Sequence, residues 1–392
     1  MTTLAPDWFN FAHVRAVVQA FSPHADALRF VGGCVRDSLL GREVQDIDAA
    51  TPLQPEQVMQ LLADAGIKAI PTGLKHGTVT AVSHGQPIEI TTLRKDTACD
   101  GRHATVEFTG SWQEDASRRD FTMNALYLSP QGELFDYSGG KEDAEAGRVR
   151  FIGDARKRIE EDYLRILRFF RFFGYYGRTA PDREALAACA ECREGLTMLS
   201  GARIQAEMLK LMSAANPLPA LTLMHEARLY NILMLTGELS RITALLAVER
   251  ETHIATAQAT RLATLVQQGR IEALAERWKL SVALRDELHR LHEEGIDPVL
   301  DLAGQKKALR RMGKDNFIQK LLFDWALNGK HNYPVMLKLA LNWNIPEFPV
   351  TGADLKARGV NEGRQLGDML RKLERRWESS DYCLTKEQLL SE

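Results

Sequence analysis

The chain has 392 residues, more than one ordinary hydrophobic core accommodates, so two or more domains are expected. With 45% hydrophobic and 26% charged residues it has the make-up of a globular protein, which excludes a disordered or fibrous one. A net charge of -2 and a pI near 6.6 give no global pull on nucleic acid, so any such binding must come from local basic patches.

No apolar run approaches the roughly 20 residues of a membrane span, and the opening "MTTLAPDWFN" has neither the basic nor the apolar region of a signal peptide. The expectation is a cytoplasmic protein with no membrane partner. Five cysteines, an odd number, make no disulfide framework. The "CAEC" of Cys189 and Cys192 has no second pair at zinc-ligand spacing, so no zinc is expected.

In chain order, "LRFV" reads as a strand running into Gly32 and Gly33, "CVRDSLLG" as a short helix closed by Gly41, and "DIDAA" as a second strand. "PEQVMQLLADAG" has helical spacing and ends at Gly66, while "GTVTAV" and "QPIEITTL" read as strands. The segment Arg94 to Ala104 mixes both charges around Gly101 and shows no period, which predicts a mobile loop. "ELFDYSGG" closes a further strand pair, and a domain boundary is expected close behind it. From about Ile152 onward helical patterns recur with almost no strand signal, among them "EDYLRILRFFRFFGYYG", "REALAACAECREG" and "ARIQAEMLKLM". An α/β head followed by an all-α body is the expected architecture.

In a strand, residues i and i+2 point to one face, so Asp46 and Asp48 are expected to project together while Ile47 packs the other way. Adjacent carboxylates repel unless a cation sits between them, and Mg2+ is the hard, oxygen-seeking candidate. Glu89, in "PIEIT", faces away from Ile88 and Ile90 on a neighbouring strand; it suits the same metal shell, and reads almost as well as an exposed strand glutamate. The glycine pair offers backbone N–H groups at a helix start, which favours phosphate. Taken singly, a DID tripeptide is more often a solvated strand end and a double glycine a tight turn. Together they describe a nucleoside triphosphate beside a two-metal site.

The glycine pair, "VRD", "LLG" and "DID", in this order, resemble the signature of the class II tRNA nucleotidyltransferase and poly(A) polymerase family, within the DNA polymerase β-like superfamily. "RRDFTMNAL" resembles the family's second motif, "LFDYSGG" with "GRVRFIGDA" its head-to-neck connection, and "EDYLRILRFFRF" its nucleotide-reading helix. Further on, "SGARIQAEMLKLM" is similar to a later helix motif, with Ala202 where an acidic residue more often stands. The resemblance implies an α+β fold. An N-terminal α/β nucleotidyltransferase head with a mixed sheet would span residues 1–150. An elongated all-α part would follow, with a neck over 151–215, a body over 216–300 and a tRNA-binding tail over 301–392.

The same resemblance implies that Asp46 and Asp48 hold two Mg2+ ions, with Glu89 as a third catalytic candidate. Gly32, Gly33 and Arg36 would contact the nucleotide in the first motif, and Arg118, Arg119 and Asn124 in the second. Arg118 and Arg119 point in different directions on any regular element, which leaves one of them for a structural ion pair. Asp162 and Arg165, at i and i+3, are expected on one helix face with Leu164 and Leu167 on the core side. The bland reading of that pair is an ion pair worth ~0.2–0.5 kcal/mol. The sharper one is base reading, because cytosine and adenine both present an amino donor beside a ring-nitrogen acceptor. Uracil and guanine present the reverse, a buried mismatch able to give ~10⁴-fold rejection. Arg168 and Arg171 continue the stripe towards phosphates or the primer end.

"KKALRRMGK" and "RKLERRW" read either as tRNA backbone contacts or as solvated helix faces. The activity implied is template-independent addition or repair of CCA, with CTP and ATP as substrates and the tRNA 3′ end as partner. A poly(A) polymerase and CC-only or A-only enzymes share the fold, and a tRNA-binding scaffold is the non-catalytic alternative. No protein partner is implied.

Overall fold

Alternation along short β-prone runs builds a sheet whose two faces differ. In the computed structural model, residues 3–99, 104–293, 295–360 and 363–391 are described. The strands are β1 (Arg29–Val31), β2 (Asp48–Thr51), β3 (Lys68–Gly73), β4 (Thr78–Ser83), β5 (Gln86–Thr92), β6 (Arg94–Cys99), β7 (Ala104–Phe108), β8 (Leu126–Leu128) and β9 (Leu134–Asp136). Seven of them form one mixed sheet in the order β3-β4-β5-β2-β1-β8-β9. Its single parallel pair is β2 with β5.

The helices around it are α1 (Ala12–Ala20), α2 (Gly33–Leu39), α3 (Pro55–Asp64), α4 (Trp112–Ser117), α5 (Gly140–Ala146), α6 (Ala155–Glu161), α7 (Leu164–Tyr176), α8 (Arg183–Glu191) and α9 (Gly201–Met212). Phe30, Ala49, Ile88 and Ile90 point to one face of the sheet, where Val14 and Val17 of α1 and Val58 and Leu62 of α3 cover them. A proline at its start and a Gln54–Gln57 capping box fix where α3 begins. The opposite face carries the smaller apolar patch of Val31, Ala50 and Tyr127. By the same alternation Asp48, Glu89 and Thr91 lie on that second face.

Two expectations change here. The segment Arg94–Ala104, read as an aperiodic loop, instead enters a strand pair, β6 with β7, separate from the main sheet and with a register shift between Asp96 and Ala98. Residues 100–103, with Gly101, lie outside the described residues. The long helix read across "EDYLRILRFFRFFGYYG" is also two helices. Asp162 is extended (φ -157°, ψ 105°), and its carboxylate accepts the Leu164 N–H at 3.1 Å, ending α6 and capping α7.

Aromatic rings seat α7 on the head. Phe121 packs on Phe151 (4.8 Å between ring centres) and Phe172 (5.1 Å), and Phe172 stacks on Tyr176 (5.6 Å). Burying each such phenylalanine contributes ~1.5–3 kcal/mol, so this face of α7 is fixed by packing more than by helix propensity.

The chain gathers into two compact units, Met1–Thr236 with Glu272–Leu280, and Gly237–Ile271 with Ser281–Glu392. All the strands and α1 to α9 belong to the first. The second has helices and no strand among its described residues and carries two buried ion pairs, Arg261 with Glu249 and Lys320 with Asp324. Near its end Val350, Leu355, Leu373, Trp377 and Leu389 form a local core. The basic run around Lys306 to Arg311 largely meets acids of the same unit, with Arg310 on Glu374 and Glu378, and Lys306 on Asp381. No helix among the described residues is long and apolar enough to cross a membrane.

Candidate active site

β1 delivers the chain to Gly32, whose φ of +77° is a conformation glycine adopts without strain, and the turn starts α2. At its far end the Gly41 N–H bonds Ser38 O (3.2 Å) and the Arg42 N–H bonds Asp37 O (2.8 Å). That closes the helix as a Schellman motif with Gly41 left-handed. Arg36, one turn into α2, is buried. It donates to Asn124 Oδ1 and to the Tyr176 hydroxyl, each at 2.6 Å, and pairs with Asp37.

The parallel pairing of β2 and β5 places Asp48 across from Glu89. Both line a cleft of about 420 Å³ with Arg36, Arg94, Arg118, Arg119 and Arg168. A volume of this order suits a small-molecule substrate. Burial first, then the Glu89 charge, push the Asp48 carboxyl up to about 6; Arg119 pulls against them and Asp46 adds to the push. Asp46 itself precedes the strand, since β2 begins at Asp48, and is exposed. It shares two neighbouring grooves with Asp48 but does not line the arginine cleft.

This donor set fits a hard cation. The ligands are carboxylate oxygens alone, and the nearby Cys34 thiol, pushed by burial up to about 12, stays protonated. No group of three or more His, Cys, Asp or Glu among the described residues is close enough to hold an ion unaided. That accords with a cation taking one or two carboxylates and completing its shell with substrate phosphates and water. Asp46 and Asp48 are the residues that would hold it, with Glu89 across from Asp48 on β5.

Arg118 and Arg119 do not diverge as their adjacency suggested. α4 ends just before them, and both guanidinium groups turn back onto one buried carboxylate. Arg118 donates to Asp115 Oδ1 at 2.7 Å, and Arg119 to Oδ2 at 3.0 Å, which the Tyr127 hydroxyl also reaches at 2.7 Å. Burial works to raise the Asp115 pKa, but Arg119 and Arg118 outweigh it and hold the carboxyl at about 2. Sequence reasoning passed over Asp115, although an acid at i-3 and i-4 from two arginines is a readable signal.

Asp120 does the same for α7. Its carboxylate accepts Arg168 Nε at 2.7 Å and Asn124 Nδ2 at 3.0 Å. Against burial, the Arg168 charge holds Asp120 at about 2. Arg171 pairs with the buried Glu207 of α9 and is outside the arginine cleft. Nor do Asp162 and Arg165 line that cleft or pair with each other. Asp162 Oδ2 accepts Arg203 Nη2 at 2.7 Å. Arg165 pairs with Glu161 and donates to the Arg158 carbonyl at 2.7 Å. Arg203 and Glu207 were not singled out, because they come from α9, far along the chain.

Residues 28–150 match the poly A polymerase head domain family, and residues 180–237 the family described as the probable RNA and SrmB-binding site of polymerase A. The chain is 36% identical to the mitochondrial CCA tRNA nucleotidyltransferase 1 of Danio rerio, over 96% of this chain and 89% of that one. It belongs to the CCA-adding tRNA nucleotidyltransferase family. The CCA-adding enzyme of Levilactobacillus brevis is 30% identical over 94% of this chain and 93% of its own. Among solved structures, the Bacillus stearothermophilus CCA-adding enzyme in complex with CTP superposes with a TM-score of 0.72 at 29% identity, covering 95% of this chain and 93% of that one.

In a CCA-adding nucleotidyltransferase both nucleotides present the same triphosphate, which gives Asp115 a testable place. Asp115→Asn keeps the shape but weakens the hold on Arg118 and Arg119. It is expected to raise KM for CTP and ATP alike by tenfold or more, about 1.4 kcal/mol. Steady-state kinetics at saturating tRNA check this. A rise for one nucleotide alone would mean that these arginines read the base.

Proposed function

We propose that this enzyme adds or repairs the 3′-terminal CCA of tRNA from CTP and ATP, without a template and with two Mg2+ ions. The observation that carries the reading is the Asp48–Glu89 pair facing five arginines in one cleft, in a chain alike along nearly its whole length to CCA-adding enzymes. Bound divalent ions would lower the pKa of the acceptor hydroxyl and neutralise charge on the triphosphate. Asp46 and Asp48 hold the ions, and Glu89 lies next to them. Arg36, Arg118, Arg119 and Arg168 take phosphate oxygens through their N–H forks, with Gly32 and Gly33 leaving room for the chain of phosphates. Asn124 orients Arg36.

Asp162 and Arg165 read the base, Asp162 accepting from the exocyclic amino group and Arg165 donating to the ring nitrogen. Catalysis is assigned to a head over residues 1–150 and base reading to a neck over 151–215, followed by a body over 216–300 and a tail over 301–392 that meets tRNA. The reducing cytosol suits the free cysteines Cys34, Cys189, Cys192 and Cys383.

The test is primer extension. With Mg2+, CTP and ATP together, tRNAs ending before C74, after C74 or after C75 should all finish as CCA, whereas CTP alone should stop at CC and ATP alone should extend only the tRNA ending after C75. Runs of adenosine from ATP alone would make the chain a poly(A) polymerase. Extension confined to C or to A would make it a CC-only or A-only enzyme.

A further inference from the structure

Asp48 is reached from more than one side. Besides the arginine cleft, a second cleft of about 470 Å³ opens on Asp46 and Asp48, walled by the α2–β2 connection and by α7 and α9. A third groove also touches both aspartates, but it is lined by Phe11, His13 and Pro87 and has no lysine or arginine. We propose that the second cleft seats the 3′-terminal nucleotide of the RNA acceptor, with Arg42 and Lys210 on its phosphodiester and Tyr175 beside its base. This rests on the proposed nucleotidyl transfer.

In-line transfer sets the geometry. The 3′-oxygen forms a bond to the α-phosphorus while the bond to the bridging oxygen breaks. Pyrophosphate leaves with that electron pair, and the hydroxyl proton passes to water. Entering and leaving groups lie on opposite sides of the phosphorus, so a triphosphate in the arginine cleft leaves the acceptor to approach Asp48 from another opening. An RNA strand needs cations for its phosphates and a ring for its base. The second cleft has them and the third lacks the cations.

The parts are held in place. The Schellman turn at Gly41 aims Arg42 at α7, where its Nη2 donates to the Tyr175 carbonyl at 2.8 Å and its guanidinium lies 4.5 Å from the Tyr176 ring centre. The Tyr175 hydroxyl donates to the Lys210 carbonyl, also at 2.8 Å, which ties the end of α7 to α9. Arg118, Arg119, Arg165, Arg168 and Arg171 all pair with carboxylates, whereas Arg42 and Lys210 meet none among the described residues. Lys210 is exposed, and only its backbone carbonyl is used, so its side chain is free for a ligand.

The test uses the full chain as Lys210→Ala and Arg42→Ala, with tRNA ending in CC and an acceptor-stem minihelix with the same end. Each alanine variant should raise KM for both RNAs about tenfold, with KM for ATP at saturating RNA and the melting temperature unchanged. Unchanged KM for RNA, a raised KM for ATP instead, or a defect on tRNA that vanishes on the minihelix would each overturn the assignment. A wild-type chain that extends neither RNA would overturn the proposed function itself, a result distinct from failure of the variants alone.

Discussion

Asp48→Asn is expected to abolish incorporation of both C and A, by at least ~10³-fold or about 4 kcal/mol of barrier, while the fold becomes more stable. The two effects share a cause. Asp48 sits at the end of β2 across from Glu89, and burial and that neighbour raise its carboxyl to about 6 from an ordinary 3.8. Between these values the folded chain keeps a proton that the unfolded chain has released. The stabilising contribution is therefore present below the unfolded pKa and lost as pH rises through the folded one. At neutral pH the bare carboxylate costs the fold on the order of 1–3 kcal/mol, and asparagine removes that cost. Calorimetry in chelator should show a higher Tm for the variant, and primer extension in Mg2+ no product with either nucleotide. Near-normal incorporation of one nucleotide would remove Asp48 from the metal shell, and an unraised Tm would mean its charge is relieved in some other way.

Asp162→Ala is expected to lower the kcat/KM preference for CTP over UTP by ~10²–10³-fold, because the acceptor that rejects the uracil carbonyl is gone. The structure sharpens the expectation. Arg203 Nη2 lies 2.7 Å from the Asp162 carboxylate, so truncation leaves a guanidinium donor beside the vacated position. A donor there meets the uracil O4 and repels the cytosine amino group, turning a neutral loss into an active preference. Competition between CTP and UTP on tRNA ending before C74, read by sequencing the 3′ ends, measures the change. Unaltered discrimination with a lowered Tm would reduce Asp162 to the residue that ends α6 and caps α7.

Features carried by neighbours in sequence were legible in it. The turn at Gly32 and the closure at Gly41 are each set by a few bonds, and local geometry dictates how they stand; of "DID", Asp48 alone of the two carboxylates stands in the strand, with Asp46 before it. The ribbon of β6 and β7 was not legible, since it lies outside the seven-stranded sheet and its sequence shows no apolar alternation with a period of two. The break at Asp162 was hidden because the apolar period runs through it, although an aspartate before a leucine-rich run is a known helix-start signal. Arg118 and Arg119 were misjudged for want of a regular element: α4 has ended, and the chain is free to turn both onto Asp115. The pairings of Asp162 with Arg203 and of Arg171 with Glu207 span 41 and 36 residues, beyond the reach of any local pattern.

One chain of polar contacts runs from Tyr176 through Asp37, Arg36, Asn124 and Asp120 to Arg168, while Glu207 holds Arg171 on the next turn of α7. Its members enter the world in a fixed order, because a ribosome releases residue 36 long before residue 207. Until α7 emerges, Asp120 lacks the guanidinium that faces it, and until α9 follows, Arg171 waits for its acid. Arg36, Arg118 and Arg119 are made with the head, so Arg168 alone of the cleft's arginines waits for α7. The α7 wall of the cleft, Arg168 and Phe172, is therefore the last part of its lining to be made.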